Sequence, residues 1–183
     1  IRSNYHLPQD IREALEQALK TEVSEQGRSV LSSLIENADI ASEQVFPLCQ
    51  DTGFSVFFVE MGAELCIKGG TLSQAIEQGV QSGYRDGYLR KSIVSDPLRR
   101  ENTGDNTPPV IWMQQVPGDE LRILMAPKGG GSENMSGIAM LKPAQGRQGV
   151  MEFVVNQVEQ AGGNPCPPLI VGVGIGGTFE KCA

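Results

Sequence analysis

The chain has 183 residues, 39% of them hydrophobic and 20% charged, with a formal net charge of −7. That length and balance suit a globular chain with a buried core, and the acidity argues against nucleic acid, whose binding needs clustered Lys and Arg. No apolar run approaches the roughly 18 residues of a membrane span, and neither a Met nor a signal-peptide pattern opens the chain. Four sparse cysteines read as reduced thiols of a cytoplasmic protein rather than a disulfide frame. Both ends read as cut, so the sequence is treated as a piece of something longer.

Pro8 to about Lys20 has helical periodicity, with Ile11, Leu15, Ala18 and Leu19 on one face and Pro8 in the first turn. A second helix is expected from Ser24 to Asn37, with Ala38 to Ala41 as an extension. Phe54 to Met61 is β-rich and predicts a buried strand. Gly69-Gly70 breaks the chain, and Thr71 caps a helix running to Tyr84. Val110–Val116 and Leu121–Ala126 flank Pro117-Gly118-Asp119-Glu120, which predicts a hairpin. A helix from about Gly149 to Ala161 follows, and Pro168 to Gly174 predicts a buried strand feeding a glycine turn. Thr178 to Ala183 reads as the first turn of a helix. The expected class is α+β, with a helical lead-in over 1–45 and a mixed α/β body over 46–183.

Cys49 lies between a proline-led loop and Thr52-Gly53, just before the strand at Phe54. Such a strand-entry loop fixes a side chain while leaving it reachable. Alone, Cys49 reads as an ordinary thiol, but Asp51 adds a carboxylate and Gln50 an uncharged donor and acceptor, and these favour a metal-bearing active site. Cys166 stands between Pro165 and Pro167-Pro168, which restrict the backbone heavily; a ligand and a structural turn both fit. Cys49 and Cys166 belong to no CxxC pair, so neither a zinc finger nor a thioredoxin motif applies. Widely separated single cysteines are compatible with an iron–sulfur cluster assembled by tertiary structure. Cys66, beside Leu65 and Ile67, is expected as an inert core thiol, and Cys182 as a packing residue.

Gly129-Gly130-Gly131 after a strand lets backbone N–H groups converge on an anion, with Lys128 beside them; a flexible turn is the alternative. Gly172-Val173-Gly174-Ile175-Gly176-Gly177 satisfies GxGxxG, a weak dinucleotide signal without the acidic ribose partner. Arg90 is the candidate for holding a substrate carboxylate, as a fork-shaped guanidinium does, whereas Arg99 and Arg100 read as solvated.

Four ordered motifs, PLCQDTG at 47–53, NTGDNTP at 102–108, APKGGGSENMS at 126–136 and NPCPPLIVGVGIGGT at 164–178, resemble one family. It is that of the class I, oxygen-sensitive iron–sulfur fumarate hydratases and their tartrate dehydratase relatives, and the chain resembles their alpha subunit or N-terminal catalytic region. The resemblance implies an incomplete catalytic domain of a larger hydro-lyase. It implies a [4Fe–4S] cluster with three cysteine ligands and an open fourth iron; Cys49 and Cys166 match two ligands, and the third is expected outside this sequence. It implies Asp51 as the dehydration acid, Gln50 and Arg90 as substrate contacts, and Gly130 and Gly131 as backbone contacts to substrate. The threonine base, the acid's histidine partner and further arginines belong to parts outside the sequence, and His6 reads as structural or exposed. The implied partners are a small dicarboxylate substrate, a beta subunit or C-terminal domain, and further copies in a homo-oligomer, with no nucleic acid and no membrane. Lys128 to Asn134 is similar to the fumarase form of its motif, so fumarate and malate are expected before tartrate. The rival readings are a dinucleotide-binding oxidoreductase and a non-catalytic assembly subunit.

Overall fold

The computed structural model describes residues 1–44 and 46–183. They divide into two compact units, Ile1–Lys128 and Gly129–Ala183. The expected lead-in lies in the first of them, and its last position, 45, is outside the described residues.

In the first unit a short helix, α1 (Arg2–Tyr5), precedes α2 (Gln9–Thr21) and α3 (Glu25–Ser42). Pro8 is the N-cap of α2, where its missing N–H has no helical partner to lose. Ser24 caps α3, its hydroxyl accepting from the Gly27 N–H at 3.2 Å. Ala38 and Ala41 extend α3 as predicted and are buried. The Arg12 guanidinium on α2 reaches Asp39 on α3 at 2.6 Å and Glu16 at 2.9 Å. At four residues α1 is too short to show helical periodicity in the sequence. Its Tyr5 is buried with Val80, Tyr84 and Leu89, against Phe57.

Strand β1 (Phe54–Gly62) is the centre of a three-stranded sheet with β2 (Val110–Val116) on one side and β3 (Leu121–Lys128) on the other. β1 pairs parallel with β2 and antiparallel with β3. The predicted hairpin is therefore corrected: β2 and β3 run in opposite directions as expected, but β1 lies between them. The four residues Pro117 to Glu120 span two inter-strand spacings, roughly 10 Å, over the end of β1. Gly62 makes this possible, since a Cβ there would lie 2.3 Å from the Gly118 carbonyl oxygen. The crossing loop is sewn down by Ala63 N–H to Val116 O at 2.8 Å and Glu64 N–H to Gly118 O at 2.9 Å.

α4 (Leu72–Asp86) opens with a capping box between Thr71 and Gln74. Its buried Ile76, Val80 and Tyr84 recur every four residues and so share one face. Cys66 falls in the loop after β1 and is exposed. The expectation of a core thiol is overturned: Cys66 lies beyond the end of the strand, between a half-buried Leu65 and an Ile67 that is 39% exposed.

The second unit holds α5 (Gly130–Glu133), a 3-10 turn (Pro143–Gln145), α6 (Gly146–Ala161) and α7 (Phe179–Cys182). Gln157 on α6 donates to Met135 O at 2.8 Å. The predicted strand over 168–174 does not form. Ile170 is 82% exposed and Ile175 73%. A strand requires a ladder partner, and among the described residues of this unit none is present. The class is α+β, as the sequence pattern predicted.

Candidate active-site loop and its relatives

The loop before β1 is held at both ends and bare in the middle. Leu48 donates its N–H to Asn4 O at 2.8 Å and accepts from the Asn37 side-chain amide at 2.9 Å. Thr52 and Gly53 are buried. The Thr52 hydroxyl donates to Arg90 O at 3.1 Å, and the Tyr84 hydroxyl lies 3.2 Å from Thr52 O and 2.9 Å from Gly53 O. Gly53 has φ +67°, the left-handed region that glycine enters without penalty. Between these anchors, Cys49 and Gln50 are exposed. Asp51 is half-buried, with one carboxylate oxygen accepting from the Gly53 N–H at 3.1 Å.

Burial pushes the Tyr84 phenol above its ordinary value of 10.0, and the nearby Asp51 charge pushes the same way. The hydroxyl therefore stays a donor through the neutral range. Arg90 is exposed and follows the buried Leu89, whose N–H returns to Tyr84 O at 3.0 Å. Lys128, at the end of β3, stands in register with Phe54, the first residue after the loop.

The NTGDNTP segment lies against residues 91–94. Asn102 donates to Lys91 O at 2.9 Å and forms a bridge with Val94. The Asp105 carboxylate accepts from the Thr107 hydroxyl at 2.7 Å, the Thr107 N–H at 3.1 Å and Gln81 at 3.0 Å. The Thr107 hydroxyl and then its N–H hold this carboxyl below its ordinary value. Asn106 is fully enclosed and bonds Gly53, Ser92 and Ile93. Sequence reasoning assigned no role to Asn106 or Tyr84. Asn106 offered a signal, a short polar residue in a turn-rich motif, whereas Tyr84 gave only the helical spacing of a core residue.

In the second unit Gly130 and Gly131 begin α5. A Cβ on Gly131 would lie 3.0 Å from Asn164 O, so the glycine lets this turn approach the loop that carries Cys166. Cys166 is exposed and has φ +58°, a conformation that costs a non-glycine residue roughly 1–2 kcal/mol. Its N–H bonds to Gly163 O at 3.2 Å. The glycine run at 172–177 follows no strand, so it lacks the context that a dinucleotide fingerprint requires.

Thus Cys49, Gln50 and Asp51 share one loop tied to the Arg90 backbone, and Gly131 abuts the loop of Cys166. Among the described residues no group of three or more His, Cys, Asp or Glu gathers as a metal site. His6 lines a separate cleft of about 790 Å³, bounded by α1, β1 and α4, which none of the predicted site residues lines.

A family model described as "Fumarate hydratase (Fumerase)" matches residues 1–183. A Methanocaldococcus jannaschii protein provisionally named L(+)-tartrate dehydratase subunit alpha is 42% identical over 183 residues, covering 96% of this chain and 63% of that protein. The L(+)-tartrate dehydratase subunit alpha of Escherichia coli strain UTI89 is 32% identical over 180 residues, covering 97% and 59%. Fumarate hydratase 2 of Leishmania major is 34% identical over 167 residues, covering 87% and 28%. The chain thus spans less than two thirds of the length of these relatives. Over its whole length, it belongs to the fumarate hydratase family of class I enzymes and their L(+)-tartrate dehydratase relatives.

Proposed function

We propose that this chain supplies part of the active site of a hydro-lyase that interconverts a 2-hydroxy dicarboxylate and its dehydrated product, with malate and fumarate as the pair. The observation that carries the reading is the loop itself: Cys49 and Gln50 exposed, Asp51 beside them, and both ends fastened to buried groups. Membership of the fumarate hydratase family supports the chemistry.

Two exposed thiols on restricted loops fit a soft metal centre. Cys49 and Cys166 would be two ligands of a [4Fe–4S] cluster, with the third cysteine contributed from outside this chain. When bound, the cluster supplies a Lewis acid at its open iron. Gln50 contacts the substrate, and the Arg90 guanidinium binds a carboxylate as a planar fork. Backbone N–H groups at Gly130 and Gly131 stabilise negative charge on the substrate. Asp51 gives a proton from its carboxyl oxygen to the departing hydroxyl. The remaining catalytic groups come from a beta subunit or C-terminal domain, in a homo-oligomeric cytoplasmic enzyme.

A second substrate is favoured by a separate observation: the relatives at 42% and 32% identity are named as tartrate dehydratase alpha subunits. Fumarate absorbance rising on malate, compared with product formed from L(+)-tartrate by the same full protein, decides between them. Turnover of malate at least tenfold above tartrate is expected. The reverse preference moves the assignment to tartrate, and no turnover of either overturns the reading. The 183-residue chain by itself is expected to turn over neither.

A further inference from the structure

Asn106 has 0% of its surface exposed, yet its amide is not an idle core group. Its side-chain carbonyl accepts the N–H of Ser92 at 2.6 Å and that of Ile93 at 3.1 Å, and its NH2 donates to Gly53 O at 3.0 Å. Gly53 is two residues after Asp51, and Ser92 is two residues after Arg90. One enclosed amide therefore clamps the loop of the proposed acid to the segment of the proposed carboxylate-binding arginine. The Thr52 hydroxyl closes the same gap at Arg90 O.

Few side chains could replace it. A carboxylate would accept from Ser92 and Ile93 but has no donor for Gly53 O. An apolar side chain would abandon two buried N–H groups, each costing of order 1–3 kcal/mol. The backbone selects further: Asn106 has φ +65°, where Asn is tolerated far better than most residues.

We infer that Asn106 is a positioning residue that fixes the separation of Asp51 and Arg90 without touching substrate. The inference rests on the roles proposed above for those two residues. Displacing an acid and a carboxylate holder by a fraction of an ångström to an ångström costs up to roughly a hundredfold in rate.

The test uses three variants of the full protein. Asn106→Gly keeps the backbone conformation and removes the clamp. Asn106→Asp keeps the shape and removes the donor. Gln81→Ala, which loosens Asp105 in the same loop but leaves the clamp intact, is the control for general destabilisation. Amide exchange at Ser92 and Ile93 is expected to accelerate in Asn106→Gly and stay unchanged in Gln81→Ala. The kcat/KM on the preferred diacid is expected to fall about 10- to 100-fold in both Asn106 variants. It should stay within about threefold in Gln81→Ala, even where Tm falls equally. Unchanged kcat/KM in Asn106→Gly despite faster exchange, or an equal loss in Gln81→Ala at matched Tm, overturns the positioning role. If the parent protein dehydrates no diacid, the functional reading fails, and with it the catalytic part of this inference. The clamp is then judged by exchange alone, and unchanged exchange at Ser92 and Ile93 removes it too.

Discussion

Cys49 in the first unit and Cys166 in the second are both exposed thiols, but the two units hold them by different means. Around Cys49 the restraints are tertiary: Asn4, Asn37, Tyr84, Arg90 and Asn106 come from five separate places in the chain and bond the residues on either side of the thiol. Around Cys166 they include a bond to Gly163, flanking prolines, a turn following α6 and the close approach of Gly131 to Asn164 O. Ile170, Val171 and Val173 after Cys166 lie open, whereas the apolar residues after Cys49 enter a sheet. The contrast teaches that the first cysteine is placed by side chains from several elements, while the second is placed by its own short segment and the glycine turn packed beside it.

Paired glycine substitutions break this comparison most sharply. Gly62→Ala drives a Cβ into the backbone of the crossing loop at Gly118 and is expected to cost about 3 kcal/mol, the upper range for overpacking. Gly172→Ala meets nothing within 4 Å and should stay within about 0.5 kcal/mol. Urea unfolding of both variants checks the pair, and equal losses would contradict the contrast.

Tyr84→Phe probes the tertiary restraint alone. Its lost hydroxyl leaves Thr52 O and Gly53 O with fewer donors, so about 1–2 kcal/mol of stability should go. Iodoacetamide labelling of Cys49 in the cluster-free protein should quicken, while labelling of Cys166 stays constant. Tyr84 also sets an alkaline limit. Its pKa is raised in the folded state, so its contribution is complete below about pH 10 and fades as pH rises through the folded value. The phenylalanine variant should lose that limb.

A smaller effect is expected on the acid side. Asp105 has a lowered pKa in the folded state, so its contribution is present above its ordinary value of 3.8 and is lost as pH falls through the lower folded one. Asp105→Asn should flatten the decline in Tm below about pH 4. An unchanged slope would show that the Thr107 bonds do not discriminate the charged form.

The same contrast explains what could be read from the sequence. Helices α2, α3 and α4 announced themselves through the cap at Thr71, Pro8 at the start of α2 and periodic apolar residues, because those signals are local. The insertion of β1 between β2 and β3 was not legible, since Pro117 to Glu120 looks like a hairpin turn and only the small Gly62 beneath it permits the crossing. The segment 168–174 has a strand's composition but no ladder partner in its unit, and composition cannot supply one. Cys49, Gln50 and Asp51 stood out because they are adjacent in sequence. Asn106 and Tyr84 did not, because what they do depends on contacts 53 and 31 positions away.

Anaerobic reconstitution of the full protein with iron and sulfide tests most directly whether these two differently held cysteines serve one centre. A broad visible iron–sulfur absorbance is expected, abolished in both Cys49→Ser and Cys166→Ser and kept in Cys66→Ser. No such band, or a band indifferent to Cys49→Ser and Cys166→Ser, would contradict the account.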